Sequence, residues 1–146
     1  MAMWFKPFTV AQINGRPKNH IGALLGIEFT AFGDDYIVGT MPVDERTHQP
    51  AGILHGGASV VLAESLGSIA SYLCIDPEKY LAVGLEVNAN HLRPVKSGIV
   101  TGTCTALHIG AKTHVWEIKI RTDKGKLSCI SRLTVSIIPK PIDAAL

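Results

Sequence analysis

Apolar residues follow two different rhythms along this chain. Within HVWEIKIRT they alternate: Trp116, Ile118 and Ile120 face one way, Glu117, Lys119 and Arg121 the other, the period of a half-buried strand. From Gly57 to Leu73 they run almost without interruption, which reads as a helix apolar nearly all round. IEFTAF and YIVGTMPV flank Gly33-Asp34-Asp35, a turn signal, and predict a hairpin. IGALLG before Ile27 predicts a helical turn, and the polar DERTHQPAG, carrying Pro50, predicts a loop. Pro77 in IDPEK ends the helix, because neither proline nor the residue before it continues one. YLAVGLEVNANHL, GIVTGTCTALHI, HVWEIKIRT and LSCISRLTVSII then predict four strands, the last three joined by short turns and therefore antiparallel.

The predicted order is two strands, one long helix and four strands, in a single domain over residues 1–146 with no repeat or linker. A helix apolar on every side does not lie outside a sheet. It must be wrapped by a curved sheet on one face and covered on the other. An open sheet also leaves edge strands to be covered or paired. Both demands predict a homo-oligomer in which sheets pair and helices face each other.

Composition narrows the classes. Hydrophobic residues make up 47% and charged residues 18%, which excludes a disordered chain. A net charge of +2 is too small to point to nucleic acid. Glu64 breaks the longest apolar stretch, so no membrane span is expected, and MAMWFKPFTV lacks the features of a secretion signal. Cys74, Cys104 and Cys129 are odd in number and lack metal-ligand spacing; free buried thiols in a cytoplasmic protein are expected. No histidine pair has metal spacing, so neither metal nor cofactor is expected, and His20, His48 and His114 are read as ordinary surface or packing residues.

Glu64 is the one charged residue between Gly56 and Leu73, and no basic residue lies one turn away on either side. Ser68 and Ser71 continue its stripe and would form a narrow polar track. A buried carboxylate satisfied by a serine or a distant arginine is the plain alternative; a desolvated catalytic acid is the functional one. Gly56 and Gly57 open the helix without side chains; a tight turn needs such glycines too, and the functional alternative is that the first helical N–H groups form an oxyanion site for a carbonyl oxygen, which His55 just before and the unpaired acid on the helix favour. Eight residues of helix separate Gly56 from Glu64, about 12 Å. A reacting carbonyl must lie near both. Two helices from two subunits, antiparallel about a two-fold axis, satisfy this, so the site is expected between chains.

GILHGGASVVLAESLGSIAS, with MPVDERTHQP before it and VGLEVNANHLRPV after it, resembles the hotdog-fold acyl-CoA thioesterases. The branch is that of the Arthrobacter-type 4-hydroxybenzoyl-CoA thioesterases and the 1,4-dihydroxy-2-naphthoyl-CoA hydrolases; related members proofread aryl carrier proteins. The resemblance runs from about Ile21 to Ile138 and implies an α+β hotdog fold, a curved antiparallel sheet around one central helix. It implies hydrolysis of an acyl-CoA thioester, expected to be aromatic, with Glu64 as nucleophile or general base and Gly56 as oxyanion N–H. Gln49 and His55 would orient the thioester and assist the leaving thiolate; Ser68 would position Glu64 or the water. The coenzyme A arm would run over Gly84, over His91, Leu92, Arg93 and Pro94, and over the turn His108, Ile109, Gly110, Ala111, Lys112 and Thr113. Arg93 and Lys112 suit phosphates; a solvated surface charge is the competing reading for each. The resemblance also implies a dimer or a dimer of dimers, and leaves a carrier-protein thioester as the alternative to coenzyme A. A hotdog dehydratase and a non-catalytic acyl-CoA binder are the competing functions; the His-Gly-Gly start argues against the first and the presence of Glu64 against the second.

Overall fold

The alternating segments form one antiparallel sheet of six strands: β1 (Glu28–Phe32), β2 (Tyr36–Val43), β3 (Tyr80–His91), β4 (Gly98–Ile109), β5 (Thr113–Arg121) and β6 (Leu127–Pro139). The computed structural model describes residues 1–141; residues 142–146, the end of the expected domain, lie outside the described residues. Spatial order is β1-β2-β4-β5-β6-β3. β1–β2, β4–β5 and β5–β6 are the expected hairpins, and β3 crosses to the far edge, where it pairs with β6 from Tyr80↔Pro139 to His91↔Cys129. Trp116, Ile118 and Ile120 are all fully buried, as their alternation predicts.

The sheet wraps a long helix, numbered α3 (Gly56–Cys74) after two short N-terminal helices, α1 (Val10–Asn14) and α2 (Ile21–Leu24). Leu62, Ala63, Leu66 and Ala70 are fully buried on its inner face. Each buried leucine contributes about 1.5–3 kcal/mol relative to exposure. The seat is made by glycines. Gly39 and Gly102 face each other across the β2–β4 ladder. A Cβ on either would stand 2.7 Å from a Leu66 methyl. On the helix side, a Cβ on Gly67 would stand 2.5 Å from a Leu133 methyl. The helix therefore sits at a depth that only side-chain-free backbone permits.

The outer face of α3 is not apolar all round in its surroundings: Val61, Ser65, Ser68 and Ile69 are half-buried and Tyr72 is exposed. Part of this face is covered by the N-terminal segment. The Phe5 N–H donates to Leu73 O at 2.8 Å, Trp4 Nε1 donates to Gly33 O at 2.8 Å, and the Arg16 guanidinium lies 4.9 Å from the centre of the Tyr72 ring. Asn14 closes the β1 edge: its Nδ2 donates to Phe29 O at 2.8 Å and its Oδ1 accepts the Phe29 N–H at 3.0 Å. The α2 turn was expected. The α1 turn was not, although Thr9 and Gln12 spell the capping box found there.

Ser71 does not continue a track from Glu64. It is buried under the sheet, where its Oγ accepts the Trp116 Nε1–H at 2.7 Å and lies 3.1 Å from His114 Nδ1. His114 is thus a packing residue, held below its ordinary value of 6.5 chiefly by desolvation, while Gly110 opposes the shift and the His108 charge adds to it. All three cysteines are free. Cys104 and Cys129 are buried as expected; Cys74 is half-buried, and burial pushes its thiol up to about 12. Among the described residues, α3 alone is long and apolar enough to cross a membrane, and here it is the core helix.

Two stability results are expected. Gly102→Ala should cost about 1–3 kcal/mol by overpacking against Leu66. Denaturant titration of the single variant, Leu66→Ala and the double variant should show a coupling that offsets part of that cost; simple additivity would remove Leu66 from the seat. For His114 the folded value is depressed, so below 6.5 the unfolded chain binds a proton that the folded chain does not. Stability should fall as pH drops from that value, and thermal unfolding of His114→Gln should show a shallower decline over the same window.

Candidate active site

The loop before α3 is fixed by backbone hydrogen bonds: Leu54 N–H to Val95 O at 2.7 Å and His55 N–H to Thr47 O at 2.7 Å. His55 is the N-cap, extended at φ −68° and ψ 130°, and its Nδ1 accepts the Gly57 N–H at 2.8 Å. That bond leaves the His55 proton on Nε2 when the ring is neutral. Among the described residues nothing accepts the Gly56 N–H, which points from the positive end of a 19-residue helix. Gln49, in the loop, accepts the Ala51 N–H with its side-chain oxygen, leaving its NH2 group as the free end.

Gly56 has a second constraint. A Cβ there would stand 2.8 Å from His91 Nε2, so the imidazole at the end of β3 lies directly against the first turn of α3. Gln49, Gly56, Ser59, His91, Leu92, Arg93, Pro94 and Ser128 are among the residues around one cleft of about 380 Å³.

Glu64 opens onto a different space. The helix turns its carboxylate toward β3, where a Cβ on Gly84 would stand 2.6 Å from Oε1. Strand register slips between Gly84 and Glu86, so the acid sits over a β-bulge, where the strand bends. No salt bridge among the described residues engages Glu64. It is half-buried and, with Ser68, lines a cleft of about 530 Å³ whose other walls are apolar Ile13, Ile27, Phe29 and Ile69 and the segment Asn14–His20. His20 caps α2 with Nδ1 and borders the same cleft.

The remaining sequence candidates lie apart. Ile109, Gly110 and Ala111 border a third cleft at the C-terminal end of α3, about 400 Å³. Gly110 N–H donates to Thr113 O at 2.9 Å, which closes the turn. His108 packs against Gly110, where a Cβ would lie 2.5 Å from Nε2. Lys112 and Arg93 are exposed and form no ion pair among the described residues. Within one chain, then, the oxyanion candidates, the acid and the 108–113 turn occupy three separate clefts. His48, read as ordinary, is half-buried in the loop, with Nε2 2.9 Å from Lys96 O. No cluster of three or more His, Cys, Asp or Glu side chains suited to a metal occurs among the described residues.

Comparison with known proteins decides the family. The family model described as "Thioesterase superfamily" matches residues 51–129, more than half of the chain. The chain belongs to the thioesterase superfamily. Its fold is the hotdog fold, and it is a thioester hydrolase. It is 49% identical to the 1,4-dihydroxy-2-naphthoyl-CoA hydrolase of Escherichia coli, over 93% of this chain and 99% of that one. It is 44% identical to the proofreading thioesterase EntH of Cronobacter turicensis, over 93% and 98%. The Q49A mutant of the thioesterase PA1618 of Pseudomonas aeruginosa superposes with a TM-score of 0.93 at 57% identity, covering 95% of this thioesterase and all of that chain.

Two parts of the site carry no clear mark in the sequence: the wall of the Glu64 cleft made by Asn14 and 16–19, and the buried Ser59 near Gly56. Ser59 has only its place one turn after Gly56 as a signal. The wall has none, because its placement depends on the Asn14 pairing with β1.

Proposed function

We propose that this thioesterase acts on aromatic acyl-CoA thioesters at a site shared by two subunits, with Glu64 as its reactive acid. The observation that carries the reading is a carboxylate with no salt-bridge partner among the described residues, on an otherwise apolar helix, opening onto a cleft with an apolar wall opposite a polar one that carries Arg16 and Lys18. Ile13, Ile27, Phe29 and Ile69 would take the ring of an aromatic acyl group, and Asn14, Arg16, Lys18 and Asn19 on the other wall would meet polar substituents on it. The carboxylate either attacks the thioester carbon or takes the proton of the attacking water; both roles need its negative charge. Gly56 N–H stabilises the oxyanion, Gln49 orients the thioester and assists the thiolate, His55 orients the start of the helix by accepting the Gly57 N–H, and Ser68, one turn from Glu64, positions the acid or the water.

Within one chain Gly56 and Glu64 face different clefts, which supports the arrangement of two antiparallel helices from two copies. The sheet supports it too. β3 is an edge strand of 12 residues with Val83 and Leu85 exposed at 45% and 69%, a surface suited to pairing with its own copy. In such a dimer the coenzyme A arm leaves past Gly84 and His91–Pro94 toward the turn 108–113, where Arg93 and Lys112 meet phosphates. A dimer of dimers and a cytoplasmic location complete the reading. The similarity to a proofreading thioesterase favours a carrier-protein pantetheine as the second thiol to test.

Glu64→Gln should lower benzoyl-CoA turnover by more than about a hundredfold without changing the fold, measured by thiol release and circular dichroism. Near-normal turnover would remove Glu64 from the chemistry. Glu64→Gln and Gln49→Ala homodimers should each be nearly inactive, yet unfolding and refolding them together should restore about a quarter of wild-type activity. Half of the dimers are then mixed, each with one intact site. No recovery after proven subunit exchange would place each site within one chain.

A further inference from the structure

His91, not only His55, stands at the oxyanion end of α3. Its Nε2 lies 2.8 Å from where a Gly56 Cβ would be, and Cδ2 and Cε1 lie 3.1 Å from the same point. The glycine is what admits the ring. His91 and Gly56 border the same cleft as Gln49, and neither ring nitrogen of His91 has a hydrogen-bond partner among the described residues. The two imidazoles thus differ in commitment. One nitrogen of His55 is held by the Gly57 N–H, and His55 does not border this cleft.

We propose that the His91 Nε2–H donates a hydrogen bond to the sulfur of the departing thiolate. The assignment rests on the reading above, in which Gly56 N–H binds the thioester oxygen. Oxygen and sulfur are bonded to the same carbon, so a donor fixed beside the oxyanion site lies within reach of the sulfur. When the tetrahedral intermediate collapses, the C–S bond breaks and its electron pair goes to sulfur. A hydrogen bond aimed there strengthens as that charge grows and is worth most in the transition state. His91 sits at the end of a strand tied to Cys129 across β6, so the donor is held by the sheet and not by a loose loop.

The test compares leaving groups. Benzoyl thioesters of N-acetylcysteamine and of 4-nitrothiophenol share an acyl group, but only the first expels a thiolate that needs help with its charge. His91→Ala should lower kcat/KM for the N-acetylcysteamine ester by about tenfold to a hundredfold, the loss of one hydrogen bond to a charged group. The 4-nitrothiophenol ester should lose less than about threefold. His91→Gln, which keeps an N–H donor, should recover much of the loss. Equal losses on both esters, or no difference between alanine and glutamine, would overturn the assignment and leave His91 a packing residue. Glu64→Gln should abolish turnover of both esters; if it does not, the reading of the acid fails, and that failure is separate from the fate of His91.

Discussion

The position of every candidate group follows from how deeply one helix sinks into the sheet. Leu66 rests on Gly39 and Gly102, which face each other across β2 and β4, and Leu133 rests on Gly67. These contacts fix both the depth and the rotation of α3. With Leu62, Leu66 and Ala70 turned inward, Glu64 is carried to the flank and meets β3. At that point β3 has a glycine and a bulge. A side chain on Gly84 would occupy the space of the carboxylate. Packing and chemistry are therefore coupled through backbone that carries no Cβ, and the four glycines differ in what they admit: leucine methyls at three positions, an acid at the fourth.

The same logic operates at the start of the helix. Gly56 leaves room for an imidazole from the end of β3, and Gly57 gives its N–H to another imidazole from the N-cap. Two glycines next to each other read in the sequence as a sign of a tight turn or an anion site. In the structure they also let two histidines from different parts of the chain approach one helix end. The family likeness and the fold are shown by the comparisons.

The strands and their hairpins were legible because the alternation around Trp116–Arg121 and the turn residues at 33–35 act locally, whereas the crossing of β3 to the far edge was not. The limits of Tyr36–Val43 and Gly98–Ile109 match the apolar runs residue for residue. Glu64 was legible because an acid in an apolar helix is an anomaly that needs no tertiary information. Three features were not. The fate of Ser71 depends on Trp116 and His114, which are more than forty residues away. The contact of His91 with Gly56 depends on where a twelve-residue strand ends. The cover over the outer face of α3 depends on Asn14 reaching Phe29, fifteen residues on. Each is a long-range contact made by a side chain whose type has many other uses.

The Asn14 pairing bears on how the sheet can grow. By taking both backbone groups of Phe29 on the outer side of β1, a single amide stands in for the next strand. β1 is five residues long and irregular between Phe29 and Ala31, so little ladder remains to extend. The opposite edge, β3, has no such stopper among the described residues. A sheet sealed at one end and open at the other has a direction. Two copies joined through their open ends would present only sealed ends to the next molecule, so that growth by strand pairing would stop at a pair.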